Sequence, residues 1–203
     1  MVIDIPTRNR RDERHVATRS EILEASWGLV RENGLSGLVL RDIAAKVGMR
    51  APSLYWYFDS KNAIFDAMFA EGNRTLLVQM DAQEVPTEPR ALLHWLASVF
   101  VQFAVHDAAR FQLMFQRTIP GFVPSPESYA LATEVVERSR AWFATSGIAN
   151  PSHFDLWTAL VSGLASQQLA NDPGGDRWQR LIDDAVDMFA NYVLDSPTTR
   201  SST

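Results

Sequence analysis

Residues 50–61 hold the densest chemistry in the chain. Arg50-Ala51-Pro52-Ser53-Leu54 runs into four consecutive aromatics, Tyr55-Trp56-Tyr57-Phe58, with Lys61 just beyond. A guanidinium can pair bidentately with guanine in a major groove, and apolar groups meet the thymine methyl. A wholly buried aromatic run is the competing reading. Successive helix side chains point in different directions, so four in a row cannot share one core and at least two face outward. The exposed set expected here is Arg50, Ala51, Pro52, Ser53, Tyr55 and Trp56, with Leu54 and Phe58 anchoring the segment from below.

Other chemistries find little support. The 203 residues include no cysteine, which excludes disulfides, thiolate metal sites and thiol nucleophiles. There is no glycine-rich phosphate loop and no Gly-x-Ser-x-Gly elbow. His15, His94, His106 and His153 are scattered, with no pair at metal-ligand spacing. Asp183, Asp184 and Asp187 read as a solvated helix face rather than a metal site. Catalytic residues, a metal and a cofactor are all expected to be absent.

The elements that must position residues 50–61 are helical. Thr18, Ile22, Ala25 and Leu29 recur at helical spacing and Asn33-Gly34 stops them. A short helix is expected near Leu40–Val47, with Ile43, Ala44 and Val47 inward and Gly48 ending it, since glycine adopts positive φ freely. A third starts at Ala51-Pro52, where proline suits a first turn, and ends near Tyr57. Two short helices joined by Val47-Gly48-Met49 make a helix-turn-helix, whose second member exposes its N-terminal residues to a major groove. Asp59-Ser60 then cap a long fourth helix carrying Ile64, Phe65, Met68, Phe69 and Leu76.

This stretch resembles the TetR family of bacterial transcriptional regulators. The resemblance rests on Arg19-x-x-Ile22-x-x-Ala25-x-x-Leu29, Gly34, Arg41-Asp42-Ile43-Ala44, Gly48 and Ser53-Leu54-Tyr55-Trp56-Tyr57-Phe58-x-x-Lys61, over about residues 14–69. It implies that Arg50, Pro52, Ser53, Tyr55 and Trp56 lie at the major groove, that Tyr57 and Lys61 grip phosphates, and that Arg41 sits near a phosphate or base of a double-stranded operator. The family usually has threonine or serine where this chain has Val39, and often serine at Arg50. Both helices thereby forgo a capping hydroxyl, and Arg50 becomes the candidate for a guanine contact. The arginines at 8, 10, 11 and 14 read either as an arm toward a minor groove or as a solvated terminus.

The rest of the chain is expected to form further helices. One capped by Thr87 carries Leu92 to Phe103; others run over about 107–116, 125–146, 150–170 and 176–194. The resulting fold is all-α: an arm and helix-turn-helix domain over 1–61, a helical ligand-binding and dimerisation domain over 62–195, and a polar tail over 196–203. The charge divides similarly. Residues 1–61 carry ten basic and eight acidic groups, whereas 62–203 carry nine and sixteen. A small basic module on an acidic body suits a polyanion partner at one end only.

The body is rich in large aromatics, which usually form core but also line ligand pockets. Trp95, Phe103, His106, Phe111, Phe115, Trp142, Trp157 and Gln167 are the candidate lining, and an apolar or aromatic small-molecule effector is expected. The acidic balance disfavours strongly anionic ones. Ala159/Gly163 and Ser162/Ser166 at four-residue spacing allow close helix approach. With Leu181, Ala185, Met188, Phe189 and Tyr192 they are expected to form a homodimer through the last two helices, or else to pack within one chain. The opening MVIDIPTRNRRDERH has no apolar core of a signal peptide, and no apolar run reaches the ~18 residues of a membrane span. A cytoplasmic protein with no membrane partner is expected. The competing reading of the whole is a helical protein-interaction protein that kept this fold without sequence-specific DNA binding.

Overall fold

The computed structural model describes residues 10–194, and every regular element among them is helical. The expected tail over 196–203 and Arg8 lie outside the described residues. Helix α1 spans Arg10–Asn33 and stops where Gly34 turns to φ +75°. It starts two turns earlier than the apolar spacing predicts. Arg10, Arg11 and Arg14 are therefore helical, neither a free arm nor a solvated coil.

Helix α2 (Leu40–Lys46) follows. Val39 precedes it in extended conformation and gives no side-chain cap, as an aliphatic residue must. Gly48 at φ +69° makes the turn. The third element is a correction to expectation: Ala51–Trp56 is a single stretch of 3₁₀ helix, η1, rather than an α-helix. Proline in its first turn supplies no N–H, and Arg50 offers no cap. Helix α3 (Lys61–Asp81) begins under a Ser60 cap, whose Oγ accepts from the Ala63 amide at 3.1 Å.

Helices α4 (Pro89–His106), α5 (Ala108–Phe115), α6 (Pro126–Thr145) and α7 (Pro151–Asn171) complete most of the body. Glu88 caps α4 through the Arg90 and Ala91 amides, in place of the expected Thr87. Those two amide bonds hold the Glu88 carboxyl below its usual range. The final helix is shorter than predicted. A 3₁₀ turn at Gln179–Leu181 precedes α8 (Ile182–Leu194). The cause is Gln168, buried on α7, which accepts from the Trp178 amide at 2.8 Å and donates to the Gly175 carbonyl at 3.1 Å. Its amide takes up backbone groups of the incoming chain and holds the segment off the helix.

The N-terminal core reaches past the helix-turn-helix. It gathers Ile22, Val30, Leu38, Ile43, Leu54 and Phe58, then Ile64 to Phe69 of α3, and finally Ala109 and Leu113 of α5. Helix α3 is thus shared between the small N-terminal unit and the body. Polar groups reinforce the junction. Asp107 caps α5 at the Arg110 amide (3.1 Å) and also accepts from Arg31 of α1 at 2.5 Å. Glu71 of α3 accepts from Arg110 at 2.9 Å and from the Trp27 indole. A second clasp joins α4 to α8, with Arg90 2.8 Å and His94 3.1 Å from Asp187. The Arg90 hydrogen bond, then that of His94, keeps the Asp187 carboxyl below its ordinary range.

Candidate nucleic-acid interface and ligand cavity

Leu54 and Phe58 are buried at four-residue separation and fasten η1 to the core. Pro52, Tyr55 and Trp56 turn outward around them, while Ala51 and Tyr57 pack partly against the same core. Trp56 is 83% and Tyr55 56% exposed. Arg50 and Pro52 are exposed, and Ala51 and Ser53 are half-buried beside them. Arg50 has no ion-pair partner among the described residues. Arg41, on α2, is exposed and meets only Asp42 at 3.5 Å, a surface pair of little strength.

Two residues of α1 that the sequence reading did not single out for this face set its shape. Arg19 donates to the Tyr57 carbonyl and lies 4.0 Å over the Phe58 ring, so it locks the end of η1. His15 stacks on Tyr57 with centroids 4.9 Å apart, and its Nε2 is 3.4 Å from the Trp56 carbonyl oxygen. Tyr57 is therefore half-buried, and with Trp56, His15, Arg11 and Arg14 it borders a shallow groove of about 540 Å³. Lys61 opens α3 with its ammonium 5.4 Å over the Phe65 ring. Arg41, Arg50, Trp56 and Lys61 thus belong to one small N-terminal unit of α1, α2, η1 and the start of α3.

The body holds two adjoining cavities. One, of about 190 Å³, lies among α3, α4, α6 and α7; Leu76, Met80, Val99, Phe154, Trp157 and Val161 line it. The other, of about 790 Å³, lies between α3, α5, α6 and the loop after α5, with Phe69, Asn73, Met114, Arg117, Phe122 and Tyr129 in its wall. Phe115, Val135 and Val136 line both.

The eight residues expected to line a pocket are divided by the fold. Phe115 and Trp157 line these cavities. Phe103 and His106 border a separate open groove with Gln79, Gln83 and Gln179. Phe111 is core, packed on Phe100 and Phe115. Trp95 and Trp142 meet edge to face at 5.2 Å, outside both cavities. Gln167 is exposed and accepts from Asn171. The α6 wall was missed, although Ala132, Val135, Val136 and Ser139 form a helical stripe that was readable.

The last two helices leave apolar surface uncovered. Leu156 of α7 and Met188 and Tyr192 of α8 are exposed. Gly163 is exposed as well, and a Cβ placed there would meet nothing within 4 Å. Ser162 and Ser166 instead face inward, Ser162 into the smaller cavity and Ser166 toward Gln116 at 3.4 Å. No single helix among the described residues is long and apolar enough to cross a membrane.

Residues 22–68 match the family model described as bacterial regulatory proteins, tetR family. Over 53 residues the chain is 38% identical to the tetracycline repressor protein class D of Escherichia coli, covering 26% of this chain and 24% of that protein. The chain thus spans about a quarter of the length of the class D and class H tetracycline repressors it matches. A longer match, 27% identical, covers 93% of this chain and 88% of the HTH-type transcriptional regulator Rv1816 of Mycobacterium tuberculosis. Among solved structures, a protein of unknown function from Rhodococcus sp. RHA1 superposes with a TM-score of 0.72 at 19% identity, over 86% of this chain and 94% of that one. The multidrug binding protein EbrR, complexed with imidazole, gives a TM-score of 0.63 at 22% identity, over 90% and 98%. These likenesses establish the fold. The curated relatives are named as repressors and regulators.

Proposed function

Residues 22–68 match the model of bacterial regulatory proteins, tetR family, and on that premise we propose that the chain is a cytoplasmic transcriptional repressor of this family. It binds a palindromic operator as a homodimer and leaves it when a small apolar or aromatic effector occupies the body. The observation that carries this reading is the exposed Tyr55-Trp56 pair beside Arg50, which has no ion-pair partner among the described residues, on an element fastened from behind by Leu54 and Phe58.

Arg50, Ala51, Pro52, Ser53, Tyr55 and Trp56 meet base edges, while Arg41, Tyr57 and Lys61 meet phosphates. Phosphate contacts fix the register of the protein on the duplex, and base contacts select the sequence. Dimerisation through α7 and α8 sets two such faces on half-sites about 34–36 Å apart. Helix α3 runs from Lys61 at the DNA face to Leu76 and Met80 at the cavity. A ligand that prefers one tilt of this helix shifts the population toward DNA-incompetent dimers.

Selection from a random duplex pool, at stated salt, tests the proposal. A palindrome whose binding weakens steeply as salt rises is expected. A folded protein that enriches no sequence overturns it and leaves the protein-interaction reading.

A further inference from the structure

The two adjoining cavities differ in kind, and the difference specifies a ligand. The smaller is lined by apolar side chains with only Ser139, Thr158 and Ser162 as polar members. At the roughly 30 Å³ that a water-sized group occupies, 190 Å³ takes about six such groups. The larger, at about 790 Å³, falls within the usual size of small-molecule sites. Among the described residues that line either cavity, Arg117, in the wall of the larger, is the one charged member, and none is a carboxylate. Arg117 is exposed at the rim with Val123 and Tyr129, and it has no ion-pair partner among the described residues.

We propose that this site takes a singly anionic amphiphile, with a carboxylate or similar acid at Arg117 and an apolar tail directed past Phe115 into the smaller cavity. The inference rests on the reading of the body as an effector site and names the class of effector. The acidic balance of residues 62–203 argues against multiply charged anions, yet the charge facing the ligand is positive. A cation there would meet the like charge of Arg117 with no carboxylate among the described lining residues to offset it. A carboxylate instead gains a charge-assisted pair with a guanidinium. The tail displaces water from Leu76, Met80, Trp157 and Val161, where burial of apolar surface supplies the larger share of affinity.

Calorimetric titration of the full chain, without DNA, with decanoate, decanol and decyltrimethylammonium isolates the head group at constant tail. Decanoate is expected to bind tightest and the ammonium weakest. Arg117→Gln lowers decanoate affinity about two- to fivefold, to the level of decanol, and Arg117→Lys restores most of it. Ser162→Trp, which fills the smaller cavity, weakens decanoate and decanol alike. Equal binding of the three heads, a preference for the ammonium, or an indifferent Arg117→Gln overturns the inference. So does the failure of all three to bind. Because no DNA is present, each of these outcomes leaves the operator reading to stand or fall on its own selection experiment.

Discussion

Arg19 and Arg50 carry the same charge and do different work. The Arg19 guanidinium is consumed by the Tyr57 carbonyl and the Phe58 face, so it holds the end of η1 in place. Arg50 is exposed at the head of η1 with no ion-pair partner among the described residues, and Arg41 is paired among them with its neighbour Asp42. Replacing Arg50 and Arg41 separates two kinds of contact. Arg50→Ala is expected to leave thermal stability within about 0.5 kcal/mol, as surface changes usually do. It flattens the preference at one operator base pair by about 1–3 kcal/mol. Arg41→Ala weakens binding to all operator variants together and reduces the salt slope by about one. Titration of single-base operator variants over a salt series distinguishes these patterns. An Arg50→Ala protein with intact base preference removes Arg50 from the reading face. The sequence showed arginines in both positions. It did not show that Arg19 is spent on packing, because the Tyr57 carbonyl it reaches is 38 residues away.

Elements were legible where their signals are local. Ser60, Ser125 and Asn150 each cap the helix they precede, with an oxygen in reach of an amide two or three residues on. The start of α8 was not legible, because the residue that delays it is Gln168, ten residues upstream of Trp178 and on another helix. Nor was the 3₁₀ character of Ala51–Trp56, a choice between two helical windings that apolar spacing over six residues does not discriminate. Helix α2 offers a test of the cap argument at this scale. Val39 has the extended backbone of a cap residue, φ −125° and ψ 130°, but no oxygen to offer. Val39→Thr is expected to supply one and stabilise the folded chain by about 0.5–2 kcal/mol, read as a raised urea midpoint with unchanged slope. An unchanged midpoint means that the first-turn amides of α2 are already satisfied by water.

For the molecule as a whole, the open question is what covers α7 and α8. Sequence spacing singled out Ala159/Gly163 but left open whether the small residues serve contacts inside one chain or between two. Within the chain Gly163 has empty space where a side chain would stand, and Leu156, Met188 and Tyr192 of the same pair of helices are exposed. An exposed glycine in a helix interior is destabilising by about 0.5–1 kcal/mol relative to alanine. A residue with no role beyond its own helix would therefore improve on becoming alanine. In a dimer that brings α7 close to its copy, the same methyl group, or better a larger side chain, meets the partner backbone instead. Gly163→Leu is accordingly expected to shift the protein from dimer to monomer in sedimentation, with far-ultraviolet helicity retained. It should also weaken operator binding, because a single recognition element reads one half-site alone. A Gly163→Leu protein that stays dimeric and binds its operator at full strength places the dimer contact elsewhere, and returns the small-residue spacing of α7 to a property of the single chain.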